Sequence, residues 1–347
     1  MKILVSAMET SSNVHLKELK KYLSDDVEFI GVFDKELGKP IYDLTNLAIM
    51  GFVDALKKIR FFFRLRDELV ELAKDCDKVL LLDSSGFNLP LAKKLRQTYP
   101  NKEIIYYILP QAWAWKKGRV KVLEENCSKL CSILPFEKEI YNDKDKIYYV
   151  GHPLLDEIKE FKNELSNSGK IVFMPGSRKT EITNLIPIFK ELIKKIPNKE
   201  YILVIPPKFD DEYIKKTYGD ISNFTISKNA HQALTQAEYA FICSGTATLE
   251  AALIGTPFTL SYIAKKLDFF IGKTFVKLNF VGLANIFFEK MGKEKLHSEF
   301  LQNDVTVENL FNDYKSLNRD NFFENSKILR EYLKSGSSRN VASIIEN

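Results

Sequence analysis

The chain has 347 residues and a mass of 40.0 kDa, with 51 basic and 46 acidic residues and a formal net charge of +5. Its 45% hydrophobic and 28% charged content is that of a folded globular protein and excludes a largely disordered one. No apolar run approaches the ~18–20 residues that span a bilayer, the opening Met1–Glu9 lacks the pattern of a secretory signal, and four cysteines make no disulfide scaffold, so the expected compartment is the cytosol.

In chain order, Ile3-Leu4-Val5-Ser6-Ala7 is a short apolar run, after which Thr10, Ser11, Ser12 and Asn13 offer helix N-caps to the periodic segment Val14–Leu23. The same strand–turn–helix grammar returns at Val79–Leu82, Asp83-Ser84-Ser85-Gly86 and Phe87–Tyr99. Ile104–Leu109 reads as another buried strand, and Val150-Gly151-His152-Pro153 closes this part of the chain. The polar stretch Lys159–Lys170 has no apolar periodicity and reads as a linker. Beyond it the pattern restarts with the strand Ile171–Met174, the turn Pro175-Gly176-Ser177 and the helix Thr180–Ile196. Tyr201–Ile205 and Ala240–Cys243 are further strands, the second followed by Ser244-Gly245-Thr246 and the helix Ala247–Ile254. Strands alternating with helices predict parallel sheets covered on both faces, and two such halves predict two doubly wound α/β domains with ligands at the carboxyl ends of the strands. Asn318–Asn347 reads as helical without a strand partner.

Pro175-Gly176-Ser177-Arg178 and Ser244-Gly245-Thr246-Ala247-Thr248-Leu249-Glu250 each lie between a strand and a helix. Glycine lets the backbone approach a phosphate, and the helix start favours the anion. Arg178 is suited to a bidentate phosphate contact, and Glu250 to accepting both hydroxyls of a ribose. Either turn alone is equally an ordinary connection; the two together point to a nucleotide diphosphate. No Gly-x-Gly-x-x-Gly follows the first strand, and no Gly-x-x-x-x-Gly-Lys-Ser/Thr occurs, which argues against a dinucleotide dehydrogenase and a P-loop NTPase. The four histidines are scattered and the carboxylates do not cluster, so neither a metal nor another cofactor is implied. Cys127 and Cys131, four apart on an expected helix, read as packing residues, and His152 as either structural or substrate-contacting.

The ordered set Gln111-Ala112-Trp113-Ala114-Trp115-Lys116-Lys117-Gly118-Arg119, Leu134-Pro135-Phe136-Glu137, Gly151-His152-Pro153-Leu154, Pro175–Arg178 and Ser244–Glu250 resembles lipid-A-disaccharide synthase over about residues 1–290. The resemblance implies an inverting glycosyltransferase of the GT-B type. Its fold would be two Rossmann-like domains, 1–165 and 166–319, with an interdomain cleft and a C-terminal helix, about 320–347, returning to the first. The implied reaction joins UDP-2,3-diacylglucosamine to the 6-hydroxyl of 2,3-diacylglucosamine 1-phosphate (lipid X) and releases UDP. Asp83 would be the general base, Glu9 would contact the acceptor, and Ser11 and Asn88 would bind substrate. Arg178, Ser177, Gly245, Thr246 and Glu250 would hold UDP, and Asn285 would lie near the cleft. Two positions depart from the family pattern: Gly86 stands where a second Asp is usual, and Ser12-Asn13 where Gly-Asp is usual. A different enzyme on UDP-GlcNAc, whether lipid glycosyltransferase or 2-epimerase, and a non-catalytic binding homologue are the alternatives.

Two basic segments interleaved with Phe, Lys57–Arg66 and Lys265–Lys277, hold much of the surplus positive charge. Alone, each would be an amphipathic helix with an apolar core face. Diacylated substrates favour contact with an anionic membrane surface through Lys57, Arg60, Phe61, Phe62, Arg64 and Arg66, on the cytoplasmic face of the inner membrane. Phe in tight runs is not the spacing of a base-stacking platform, so nucleic acid is not an expected partner.

Overall fold

The computed structural model describes residues 1–43, 55–165, 167–263 and 279–347. The segment Lys265–Lys277 therefore lies outside the described residues. The chain forms two compact units, Met1–Glu157 with Leu333–Asn347, and Ile158–Tyr332. The passage from the first unit thus falls eight residues before the expected 165/166 boundary, and of the expected returning helix 320–347 the part 320–332 counts with the second unit.

In the first unit, β1 (Lys2–Ala7), β2 (Glu28–Phe33), β3 (Tyr42–Asp43), β4 (Lys78–Leu82), β5 (Glu103–Tyr107), β6 (Lys129–Ser132) and β7 (Ile147–Tyr149) form one sheet. Its order is β3-β2-β1-β4-β5-β6-β7, with every neighbouring pair parallel. The connections carry α1 (Thr10–Lys20), α2 (Ala55–Leu72), α3 (Ser85–Thr98), α4 (Gly118–Asn126) and the single turn α5 (Leu154–Glu157). Period-two alternation divides the apolar strand residues between two cores. Leu4, Val79, Leu81, Ile104 and Tyr106 pack with Leu65 and Leu69 of α2 and Leu91 and Leu95 of α3. Ile3, Val5, Leu80, Leu82, Ile105 and Tyr107 pack with Leu16 and Leu19 of α1. A sheet buried on both faces has no polar alternation to display, which is why its strands read as short continuous apolar runs. In β2, Gly31 (φ 127°) packs so tightly on β1 that a Cβ would overlap the Val5 backbone.

The second unit repeats the plan with β8 (Lys170–Met174), β9 (Glu200–Val204), β10 (Thr225–Ser227), β11 (Tyr239–Cys243), β12 (Phe258–Tyr262) and β13 (Glu299–Leu301), ordered β10-β9-β8-β11-β12-β13 and parallel throughout. Its helices are α6 (Lys179–Lys195), α7 (Asp211–Tyr218), α8 (Ala230–Gln236), α9 (Thr246–Ile254), α10 (Leu283–Lys290), α11 (Val307–Ser316) and α12 (Arg319–Leu333). Phe173 of β8 stacks on Phe241 of β11 with ring centroids 5.4 Å apart, at the centre of the core beneath α6.

The C-terminal stretch is two helices, α12 and α13 (Ser337–Glu346), parted at Gly336. Val341, Ala342 and Ile345 of α13 complete the core beside α1. Tyr107 and Ser337 share a hydrogen bond of 2.8 Å, and Lys78 and Lys129 donate to the carbonyls of Ile345 and Ile344 at 2.6 and 2.9 Å. Ammonium groups on the last carbonyls of a helix satisfy orphan acceptors and complement its dipole. Three local expectations are corrected. Thr10–Asn13 are the first turn of α1 and not caps before it, because Glu9 is the extended N-cap residue. Cys127 ends α4 and Cys131 lies in β6, so they do not share a helix, although both are buried and free. Strands β2, β3, β6, β7, β10, β12 and β13 were not among those read from the sequence.

Because Ile345 is fully buried on α13, Ile345→Ala is expected to destabilise the first unit by about 2–5 kcal/mol. Both tryptophans, Trp113 and Trp115, lie in that unit, so tryptophan emission during urea unfolding reads the change directly.

Candidate functional site

In each sheet the strand order reverses between two neighbours, β1 and β4 in the first unit and β8 and β11 in the second. The loops leaving such a pair run to opposite sides and open a crevice at the strand ends. Ala7 is level with Leu82, and Leu82 with Tyr107, so the chain leaves β1, β4 and β5 side by side.

Glu9, Asp83, Ser84, Ser85, Gly86, Met8, Phe87 and Phe62 line a cavity of about 550 Å³ at the first reversal. Asp83 and Ser84 are both in the left-handed region, at φ 47° and 43°. For residues with a Cβ this is strained, on the order of 1–2 kcal/mol each. The strain is held by hydrogen bonds from every side. Asp83 N–H donates to Tyr107 O (3.0 Å), while its carbonyl accepts from Tyr106 Oη (2.5 Å) and Asn88 Nδ2 (2.9 Å). Asn88 also donates to Leu82 O (2.9 Å) and accepts from Ser6 Oγ (2.7 Å). The Ser84 hydroxyl donates to Glu9 Oε1 at 3.0 Å. Asp83 itself does not cap α3; Ser84 is the N-cap residue. Burial, and next the Glu9 carboxylate, push the Asp83 carboxyl above the usual carboxylate range, against the Ser84 N–H and the His15 imidazole, which act to lower it.

Around this turn, Asn13 is buried and uses both ends of its amide on backbone, Nδ2 to the carbonyls of Ala7 and Glu9 and Oδ1 from Asp34 N–H. His15 Nδ1 meets Glu157 Oε1. His152 is fully buried, and burial pushes its pKa down to about 3; its neutral Nδ1 accepts from Leu154 N–H at 3.3 Å, a structural role. On α2, Leu65, Leu69 and Val70 face the core, Phe61 packs at its edge against Tyr42, and Ile59, Phe62 and Phe63 stand 52%, 38% and 55% exposed. Arg60 and Arg64 are exposed beside them, whereas Arg66 forks onto Asp67 at 2.6 Å.

At the second reversal, Gly176, Ser177, Arg178, Pro206, Pro207, Lys228 and Ser244–Ala247 line a cavity of about 450 Å³. The Glu181 carboxylate lies against Gly176 (φ 95°), in the space a Cβ would need. Its Oε2 accepts the N–H groups of Ser177 and Arg178 at 3.2 and 3.1 Å, and Oε1 accepts Arg178 Nη1 at 2.9 Å. The main-chain donors expected of Ser177 are thus already engaged; its hydroxyl and the exposed Arg178 side chain face outward. Gly245 is the N-cap residue of α9 and Thr246 its first residue. Glu250, on the next turn, is joined to His231 Nε2. Asn285 is fully buried and folds its own loop, donating to His297 O and Glu299 Oε1 and accepting from Leu296 N–H and His297 N–H at 2.8–3.1 Å. Among the described residues no group of three or more His, Cys, Asp or Glu gathers as metal ligands.

A family model described as lipid-A-disaccharide synthetase matches residues 3–343. The match runs through the C-terminal stretch, beyond the residue 290 at which the resemblance was expected to fade. Lipid-A-disaccharide synthases of Helicobacter acinonychis and Campylobacter jejuni are 49% and 46% identical to it, each alignment covering 99% of this chain and 97% and 98% of the relative. The chain belongs to the lipid-A-disaccharide synthase family. It is accordingly an enzyme of the glycosyltransferase class. Solved structures share the fold at much lower identity. A UDP-GlcNAc 2-epimerase from Neisseria meningitidis, bound to UDP-GlcNAc, aligns at TM-score 0.63 and 14% identity over 100% of both chains. A calicheamicin glycosyltransferase aligns at 0.58 and 11%, over 99% of this chain and 97% of that one. Full-length identity near one half favours the synthase over the epimerase alternative.

Of the two departures from the pattern the resemblance implied, one has a local explanation. At position 13 an amide can donate to the Ala7 and Glu9 carbonyls, which a carboxylate cannot. At position 86 a Cβ would meet nothing within 4 Å, so glycine is not demanded by packing there and leaves room in the cavity. The residues expected near substrate divide accordingly. Glu9, Asp83, Arg178, Ser177, Gly245 and Thr246 line the two cavities. Ser11 is exposed on α1, Glu250 stands one turn behind its cavity, and Asn88 and Asn285 are buried, so their amides position loops. Tyr106, His15, Glu181 and His231 were not singled out for a site; the partners of Tyr106, His15 and His231 are 19 to 142 residues away and that of Glu181 is hidden in helix geometry, so no local spacing betrays them.

Asn88→Ala would strip hydrogen bonds from the Ser6 hydroxyl and the Leu82 and Asp83 carbonyls. The expected loss is at least about 2 kcal/mol of first-unit stability, read as a lower urea midpoint in tryptophan emission.

Proposed function

We propose that this synthase transfers the 2,3-diacylglucosaminyl group of UDP-2,3-diacylglucosamine to the 6-hydroxyl of 2,3-diacylglucosamine 1-phosphate. A β-1,6 bond forms with inversion and UDP leaves with the electron pair of the broken C1–O bond. The observation that carries the reading is Asp83, presented on a strained turn in a cavity shared with Glu9 and Phe62. Asp83 is the general base that takes the 6-hydroxyl proton, and Glu9 is the acceptor-side carboxylate beside it. A base raised above the ordinary carboxylate range binds the proton more firmly as attack proceeds, while UDP needs little help to depart. UDP is held on the second unit, with Arg178 at the diphosphate and the α9 start at Gly245–Thr246 lending donors; Glu250, one turn behind the cavity, reaches the ribose only by exchanging its contact with His231. The support for this division is electrical: the Glu9 and Asp83 carboxylates line the first cavity, whereas Arg178 and Lys228 line the second with one carboxylate, Glu181, that is already engaged by Arg178 and two N–H groups.

The enzyme works peripherally at the cytoplasmic face of the inner membrane. Among the described residues no helix is long and apolar enough to cross a membrane. Ile59, Phe62 and Phe63, exposed beside Arg60 and Arg64, supply the apolar and cationic elements of surface attachment. Phe62 also lines the cavity with Asp83, where an acyl chain would run.

Incubation with both lipid substrates is expected to release UDP and yield a disaccharide only when the acceptor is present; interconversion of UDP-GlcNAc epimers with no disaccharide would instead support the epimerase reading. Asp83→Asn is expected to abolish transfer. The folded-state carboxyl is raised, so the stability its protonated form contributes is complete below the unfolded carboxyl range and lost as pH rises through the folded value. Asp83→Asn should therefore be at least as stable as the parent at pH 8 by thermal unfolding. Activity needs the ionised base and falls on the acid side; Glu9→Gln removes a raising charge and should move that acid limb to lower pH. Arg60→Glu/Arg64→Glu should lower cosedimentation with phosphatidylglycerol vesicles by about tenfold or more, and unchanged sedimentation would remove the membrane assignment.

A further inference from the structure

The segment Gln111–Arg119 carries part of the family resemblance, yet the reaction described above uses none of it. It leaves the sheet after β5, the neighbour of β4 and its terminal Asp83. Trp115 is 41% exposed. Lys116 Nζ lies 4.3 Å from its ring centroid and Arg119 Cζ 5.2 Å, so two cations share one indole. Among the described residues neither they nor Lys117 form an ion pair with a carboxylate, whereas Lys121, in the next turn, meets Glu125 at 3.7 Å. All three cations stand at the amino-terminal end of α4, which has no acidic residue in its first turn. The helix dipole disfavours positive charge at that end. Lys116 is additionally held at φ 54°, the left-handed region. Like charges, an opposing dipole and backbone strain all work against stability here, and a bound anion reverses the first two. Arg119 is close enough for its charge to act on the Tyr106 hydroxyl, which donates to Asp83 O at 2.5 Å.

We propose that Trp115, Lys116, Lys117 and Arg119 form the site for the phosphate monoester of the sugar acceptor. The inference rests on the reading of the first unit as the acceptor-binding one. Arg119 supplies the guanidinium fork, the two lysines supply point charges, and the indole holds Lys116 and Arg119 in register for a dianion. The neighbouring turn then presents the Asp83 carboxylate to the hydroxyl at the far end of the same sugar. Phospholipid headgroups offer the same phosphate chemistry, and the test separates the two sources.

Lys116→Gln/Arg119→Gln is expected to raise KM for the acceptor about tenfold or more in neutral detergent micelles, leaving the donor KM within about twofold. Its melting temperature should be equal or higher, since the helix start is relieved of positive charge. Tryptophan emission of the parent protein should respond to glucosamine 1-phosphate and not to glucosamine, and the response should vanish in Trp115→Phe and in the double variant. An unchanged acceptor KM overturns the proposal. So does a double variant whose only loss is cosedimentation with phosphatidylglycerol vesicles, which would give these cations to the membrane. If the parent protein makes no disaccharide, the reaction assignment fails on its own, while the glucosamine 1-phosphate titration still decides whether the site exists.

Discussion

Strand β4 ends on two consecutive residues with positive φ, Asp83 and Ser84, and the first unit is arranged so that this unfavourable ending is its stable one. The turn needs an amide beneath it, because Asn88 must donate to two carbonyls and accept from Ser6 at once. It also needs β5 in level register, since Tyr107 O receives the Asp83 N–H and Tyr106 Oη caps the Asp83 carbonyl. A register slip by one residue would send Tyr106 to the opposite face and leave that carbonyl bare. The position of the carboxylate is therefore fixed by the sheet.

The second unit solves a similar topological problem with the opposite charge. Its strand order also reverses, but the turn after β8 is closed by a carboxylate drawn inward: Glu181 occupies the space beside Gly176 and consumes the N–H groups of Ser177 and Arg178. What remains outward is the Arg178 side chain and, across the cavity, the start of α9. In the first unit the carboxylates face the cavity and the amides are buried; in the second the carboxylate is buried and the cation faces out. One fold thus yields two cavities of different electrical character, by choosing which partner of each local pair is turned to solvent.

Much of the scaffold was legible in the sequence because β1, β4, β5, β8, β9 and β11 are central strands, buried on both faces and written as unbroken apolar runs. The strands that went unread are shorter or lie nearer the sheet edges, where polar and apolar residues mix; β3 has two residues and β7, β10 and β13 have three. The cavity-lining residues were legible for a related reason, since Asp83, Gly176, Arg178 and Gly245 sit at strand–helix turns. Asn88 and Asn285 were not, because an amide that contacts a sugar and one that ties two loops together look alike in one dimension. Only burial distinguishes them, and both are fully buried.

The small net charge of +5 conceals a surface on which cations are sorted by whether they have acidic neighbours. Lys78 and Lys129 share Glu103 at 3.0 and 2.7 Å while also closing the carbonyl end of α13, and Lys199 meets the buried Glu238 at 2.6 Å. Such groups hold the fold together. Lys116 and Arg119 are stacked on Trp115 at a helix start with no acid, and Arg60 and Arg64 stand among exposed apolar side chains. A stability-driven sequence would neutralise both places, since a single Asp or Glu in the first turn of α4 would favour the helix dipole. Where local rules are broken without internal compensation, a functional site is the expected reason, and the anionic partners proposed above would supply the missing charge. On this enzyme the uncompensated cations of the first unit lie after β5 and on α2, in the same unit as the Asp83 turn, and on the proposed reading they meet the anionic groups of the membrane and of the substrate whose hydroxyl Asp83 would deprotonate.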